Sequence, residues 1–383
     1  MTRKYPHATW RVTVCAAACI SLLTPMSVHA QTQQPAQQAP QAQVAELATT
    51  VDKASVDQPG LESKVASTKT NQGFEAKAGE ANIKLPQNSS DGVTATKKSA
   101  TGSDESVTVG LGGAESQGEL AADGSVVYGG DTTTSQTVQV MREGFRIHNV
   151  MKSAEASTEF THKLTLPEGA RLIKASELKL EGEDATNAQV DAQANTEQNG
   201  AAVDKQSDPI LIVDKDNKLI AGFGDAWAKD ASGKDVPTSY EVRDGALVQK
   251  VEHTQQDVQY PVVADPYLWM DLIKSAEWVH HDEGWTLNVT PTSWARAKAF
   301  DVPKSYIVGM LGWDELYDKY KDEGRGIKVN LGGMRDQWIC HQQFVGVRYP
   351  RKETWNLDEW REDVSYAETV NTRCNPGGDK IFD

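Results

Sequence analysis

Eight of the ten tryptophans lie between residues 266 and 383: Trp269, Trp278, Trp285, Trp294, Trp313, Trp338, Trp355 and Trp360. Each indole buries about 150–250 Å2 when packed, so a segment this short must build its fold around them. The rest of the chain holds only Trp10 and Trp227. This break predicts that a separate, aromatic-rich domain begins at Pro266.

The N-terminus reads as an export signal. Arg3, Lys4 and Arg11 precede an apolar stretch from Val12 to Leu23, and Val28-His29-Ala30 supplies the small side chains of a cleavage site. Residues 1–30 are therefore expected to be a signal peptide cleaved after Ala30. Ala16-Ala17-Ala18-Cys19 only loosely resembles a lipobox, because the large aliphatic residue three before the cysteine is missing. Cleavage would leave two cysteines, Cys340 and Cys374, of the four. In an exported chain such a pair is most simply a disulfide, with free thiols or metal ligation as the alternatives.

Charge excludes one class of partner. The chain has 39 basic and 54 acidic side chains, a net charge of −15, and the only charged residues of the first 30 are basic. A mature chain still more acidic cannot grip nucleic acid over a broad face. Beyond the leader no apolar run reaches the roughly 20 residues a membrane-spanning helix needs, so no transmembrane anchor is expected.

Composition divides the remainder in three. Residues 31–105 are rich in Gln, Ala and Ser and carry one aromatic, Phe74, which predicts a disordered linker. A short helix over Val44 to Val51 is the one local exception. Residues 106–265 read as an all-β, sandwich-like domain. Phe160 to Leu166 alternates with period two, and Ile210 to Val213 and Leu219-Ile220 flank a turn at Asp214 to Lys218. Val236-Pro237, Leu247 to Val251 and Tyr260 to Val263 suggest further short strands, while Glu181 to Gln206 reads as a mobile polar loop.

Residues 266–383 read as a small α+β domain with one disulfide. Ala276 to His281 and Trp285 to Val289 predict two strands around Asp282-Glu283-Gly284. Thr292 or Ser293 is placed to cap a helix through Phe300. A longer helix from Ser305 to Tyr320 puts Trp313, Leu316, Tyr317 and Tyr320 on one stripe and ends near Gly324. Ile327 to Leu331 predicts a strand. The expected fold class is thus multidomain: disordered tail, β-sandwich-like middle and α+β end.

Two resemblances extend this. Val126-Val127-Tyr128, Val138-Gln139-Val140, Phe160 to Leu166, Ile212-Val213-Asp214 and the closing Tyr260-Pro261-Val262-Val263-Ala264-Asp265-Pro266 resemble a β module of secreted actinobacterial and YD-repeat-type proteins. That module ends in Tyr-Pro-Val-x-x-Asp-Pro and implies no catalysis. Lys274 to Trp278, Asn288 to Arg296, Trp313 to Leu316, Cys340-His341-Gln342, Trp355 to Arg361 and Cys374 to Gly378 resemble the bacterial family called domain of unknown function 2599. This resemblance implies export from a Gram-positive bacterium and brings no activity or assigned site. Arg361-Glu362 stands where that family usually has Arg-Pro.

Chemistry-bearing residues are few. His341 and His280, with Asp358 as a partner carboxylate, are the candidates for acid–base catalysis. His280 and His281 are adjacent, so on a strand they point to opposite faces, and no recognised zinc spacing is present. No metal and no cofactor are expected. Trp355 and Trp360 flank an acidic segment beside Arg361 and are candidates for stacking on a sugar or gripping a peptide. The expectation is a secreted or envelope-associated binding protein whose partner is an extracellular polymer or protein. The alternative is an exported hydrolase or antibacterial effector acting through residues 266–383.

Overall fold

Valine, isoleucine and small residues alternating across eight paired strands dictate the centre of the molecule. A computed structural model describes residues 40–57, 64–99, 102–199, 208–297, 304–345, 349 and 351–378. Residues 1–39, which include the expected signal peptide, lie outside this set. Among the described residues an eleven-stranded antiparallel sheet has a main path in the order Arg171–Lys174, Ile210–Val213, Leu219–Phe223, Tyr267–Trp269, Gly144–Met151, Thr134–Met141, Val126–Tyr128, Gly118–Leu120. Lys64–Val65, Val262–Ala264 and Ala228–Lys229 attach beside it.

Both faces of this sheet are buried. Val138, Val140, Phe145, Ile147, Ile212 and Leu268 point to one face, where they meet Ile83, Leu85, Val93, Val107 and Val109 of a second sheet. That second sheet has six strands, running Leu164–Thr165, Asp104–Val109, Val93–Lys98, Ala81–Pro86, Gly73–Ala78, Thr68–Thr70. The alternate residues Met141, Leu211, Val213, Tyr267 and Trp269 point to the other face and join the core of the C-terminal region. Period-two alternation thus feeds two different cores from the same strands.

Helix α1 (Pro40–Ala54) covers the remainder of that second face. Val44, Leu47, Ala48 and Val51 pack on Val127, Val150 and Val263. Residues 31–105, expected to be a disordered linker, are therefore ordered over 40–57, 64–99 and 102–105. The correction has a physical reason: Ala78, Ala81, Ile83, Leu85 and Ala95 are too sparse to make a core alone. The large sheet supplies the other half. Glu181 to Gln206, expected to be a loop, contains helix α2 (Gly182–Asn199). The expected strand Phe160–Leu166 breaks at Lys163 into Glu159–His162 and Leu164–Thr165, which belong to different sheets. The strand expected at Val236-Pro237 begins later, at Thr238–Arg243, and pairs with Ala246–Val251.

The C-terminal region has a three-stranded sheet, Ile273–His280, Trp285–Pro291 and Trp355–Asp358. Around it lie α3 (Ser293–Ala297), α4 (Lys304–Tyr320), α5 (Leu331–Cys340) and α6 (Tyr366–Asn371). The Trp313–Leu316–Tyr317–Tyr320 stripe of α4 packs inward as its spacing predicts. Ile327 to Leu331 is not a strand, because Asn330 adopts the left-handed conformation and caps α5 by accepting from Gly333 N at 3.2 Å. Cys340 and Cys374 form a disulfide, tying the end of α5 to the segment after α6. No helix among the described residues is long and apolar enough to cross a membrane.

The boundary at residue 265 is not a break in the fold. Strand Tyr267–Trp269 belongs to the large sheet, and the Trp269 indole stacks on Trp294 with centroids 3.7 Å apart. Gly222 makes room for this ring, since a Cβ there would lie 2.1 Å from Trp269 Cζ2. Glu143, in the turn between two central strands, accepts from Ser293 N at 2.9 Å and caps α3. Pro40–Asp383 accordingly forms one compact unit. Trp269→Ala should cost about 3–5 kcal/mol and lower the midpoint of a single urea transition. Two separate transitions, one for each sheet system, would contradict the shared core.

Candidate functional site

Of the acid–base candidates, His341 and Asp358 are buried and His280 is exposed. His341 opens a π-helical turn after α5, is 1% exposed, and its Nδ1 lies 2.6 Å from the Gln337 carbonyl. Burial, reinforced by the nearby Lys352 ammonium, holds its pKa down to about 4. The ring is therefore neutral at physiological pH and hidden from solvent. Asp358 is also buried. Its Oδ1 accepts from Thr286 Oγ1 and its Oδ2 from Arg361 Nε, each at 2.6 Å. The Gln337 side chain bonds both the N–H and C=O of Asp358, closing the free edge of its strand. Asp358 thus holds the strand end, and Arg361 joins that hold while its guanidinium lies over Trp360. His280 is exposed at the end of its strand, 4.8 Å from the Trp285 ring. Cys340, beside His341, is consumed by the disulfide. Among the described residues no group of three His, Cys, Asp or Glu side chains is placed to hold a metal ion.

The aromatic candidates divide. Trp355 is 0% exposed, packed 5.0 Å from Trp338 with Arg296 over its ring at 5.8 Å, so it is core and not a ligand platform. Its position explains the correction: it lies on the central face of an edge strand, directly under α5. Trp360 is 38% exposed, and the Arg361 guanidinium lies over its ring at 4.4 Å. Gly284 lets Trp360 sit close, since a Cβ there would be 2.7 Å from Trp360 Cβ.

Three residues absent from the sequence candidates complete this patch. The Arg325 guanidinium lies 5.0 Å from the Trp285 ring and 5.8 Å from Trp278, and it pairs with Glu359. Asn330 donates to the carbonyls of Glu359 and Arg361, which brings exposed Val329 and Leu331 beside the Trp360 segment. Arg325 was hidden in a Gly-Arg-Gly turn. Trp278 and Trp285 carry core-like spacing and are half-buried.

Two other polar features need an account. A concavity of about 510 Å3 over the strands Gly73–Ala78 and Ala81–Pro86 is lined by Thr70, Gln72, Glu75, Lys84, Asp91 and Thr94 among others. It contains none of the predicted site residues. The closing Tyr-Pro-Val-x-x-Asp-Pro motif acts structurally. Tyr260 donates to the His253 carbonyl at 2.8 Å, while Asp265 Oδ1 accepts from Tyr240 OH at 3.0 Å and Trp227 N at 3.2 Å.

With this geometry in view, comparison with known proteins is specific at one end of the chain. Residues 273–377 match the family described as Protein of unknown function (DUF2599). Uncharacterized proteins of Mycobacterium bovis and of two strains of Mycobacterium tuberculosis are each 44% identical over 50 residues, 13% of this chain and 34% of theirs. The chain therefore spans about a third of the length of these curated relatives. No solved structure matches the chain. The exposed Trp360 patch, sealed His341 and the disulfide all lie inside the DUF2599 segment.

Burial pushes the Asp265 pKa up to about 7. An unfolded Asp ionises near about 4, so between these values the folded chain binds the extra proton. Stability from this group is full below the lower value and is lost as pH rises through the upper one. Asp265→Asn should remove that loss. Relative to wild type, the variant should gain stability on going from about pH 5 to about pH 8 in urea titrations. An unchanged difference at the two pH values would show that Asp265 does not titrate in this window.

Proposed function

We propose that this is a secreted bacterial protein, extracellular or associated with the envelope, that binds a partner and performs no catalysis. Export rests on the leader over residues 1–30 with cleavage after Ala30. It is supported by a disulfide of the kind oxidising compartments favour and by the DUF2599 match. The resemblance of the middle strands to the β module of secreted actinobacterial and YD-repeat-type proteins fits the same reading and a Gram-positive source.

One observation carries the binding role. His341 is enclosed and neutral, with Asp358 committed to Thr286 and Arg361, whereas Trp360 stands exposed beneath Arg361 and next to the Arg325–Trp285–Trp278 stack. Tryptophan and arginine together form the commonest energetic anchors of binding surfaces. The partner is an extracellular polymer or protein. The same patch has no requirement for a metal or cofactor.

The test uses the mature chain from Gln31 against peptidoglycan, glycan arrays and envelope proteins. Trp360→Ala should weaken binding at least about tenfold while leaving the thermal midpoint within a few degrees of wild type. Turnover of any substrate that is abolished by His341→Ala in a folded variant would replace this reading with the hydrolase or effector. The intact mass of protein from culture medium should correspond to a chain starting at Gln31. A retained leader would remove the premise of export.

A further inference from the structure

The three-stranded sheet of the C-terminal region closes one edge and leaves the other open. Gln337 seals the edge of Trp355–Asp358 by bonding both main-chain groups of Asp358. The opposite edge belongs to Ile273–His280, the longest of the three strands. Two main-chain bonds between His281 and Gly284 close its hairpin with Trp285–Pro291. Hydrogen-bonded pairs alternate from there, so Val279 and Glu277 bond across to Thr286 and Asn288. His280, Trp278 and Ala276 turn their N–H and C=O groups the other way. Ala276 N donates to Tyr320 OH at 3.0 Å, which limits the open stretch at that end. Trp278 and His280 have no main-chain partner on this side among the described residues.

Charged side chains along an open edge select what can pair there, and here they are acidic. Glu277 on the strand and Asp282 and Glu283 in the turn are exposed and in no ion pair among the described residues. At the other end Glu323 and Glu80 stand near the Tyr320 hydroxyl, adding to the upward push that burial gives its pKa. The neighbouring cations are committed, Arg325 to Glu359 and Lys321 to Asp318. Lys274 lies beyond Ala276, past the open stretch.

We propose that the open edge of Ile273–His280 takes an extended peptide with alternating basic and apolar side chains as a fourth strand. The proposal rests on the binding role given above and supplies the partner's form. Trp278 and His280 exchange main-chain bonds with the peptide, which gives affinity without regard to sequence. Side chains opposite these two residues share the face of the Trp278 and Trp285 rings, so apolar ones fit there. Those opposite Glu277 and Val279 fall on the other face, where a lysine or arginine meets the Glu277 carboxylate. A second copy of this chain fits less well. Antiparallel self-pairing centred on Trp278 would set Ala276 against His280 of the other copy, and the Ala276 N–H is already given to Tyr320.

Hydrogen exchange on the full mature chain tests this, with the end-blocked peptide Lys-Val-Lys-Val-Lys-Val-Lys-Val as probe. At saturation the Trp278 and His280 amides should exchange at least about tenfold more slowly. The same peptide N-methylated on its valines, which cannot donate to a strand, should give no protection, and its Glu-Val counterpart should bind more weakly. Glu277→Lys, at an exposed position, should lower affinity for the Lys-Val peptide at least about threefold. Unchanged exchange at both amides overturns the proposal, as does equal protection by the N-methylated or the Glu-Val peptide. Protection that grows with protein concentration alone would assign the edge to a second copy and overturn it as well. A chain that binds its envelope partner through Trp360 yet leaves these amides unprotected by the Lys-Val peptide loses the edge site and keeps the binding role.

Discussion

A sheet that buries both faces has to find two cores, and this requirement organises the whole molecule. Phe145, Ile147 and Leu268 commit one face to the six-stranded sheet, while Met141, Tyr267 and Trp269 commit the other to the C-terminal region. A strand with this pattern cannot be stable on either face alone, since exposing the other would put large apolar side chains in water. The aromatic-rich end is therefore half of the large sheet's covering rather than an independent tip. The Trp269–Trp294 stack and the Glu143 cap of α3 are where that dependence is tightest.

The same constraint decides what is left over for function. Most of the indoles are spent on the shared core, with Trp338 and Trp355 wholly enclosed. Trp278 and Trp285 of the hairpin Ile273–Pro291 stay half-buried and Trp360 is exposed, each beside an arginine. Enclosure also keeps His341 neutral and away from solvent. The exposed Trp360 patch and the enclosed His341 thus have one cause.

What could be read from the sequence follows from which signals are local. The Trp313–Tyr320 stripe, the hairpin around Gly284 and the Cys340–Cys374 pair depend on residues close in sequence or on a pair with no competitor, and they are found as expected. The strands at 64–98 are illegible in the sequence because their apolar face mixes Phe74, Ile83, Leu85 and Val93 with Ala78, Ala81 and Ala95, and alanine signals a strand only when a second sheet is present to bury it. Helix α2 was read as a loop because polar Ala-, Asn- and Gln-rich sequence gives no periodic apolar face. Its fixing points, Tyr306, Arg335 and Tyr366, lie more than a hundred residues away. Trp355 and Trp360 are five residues apart with similar neighbours, and only the position of α5 separates core from surface.

A charged contact between the β-rich part and the C-terminal helices is built with matched charge. Burial alone would raise Asp271, but Lys97 and Lys319 surround it and hold its carboxyl below the ordinary range. Lys319 in turn, despite burial, is driven up by Glu315 and Asp271, and Glu315 also accepts from Leu272 N and Ile273 N. Cations and carboxylates match there, so the group stays ionised across physiological pH and the joint is permanent.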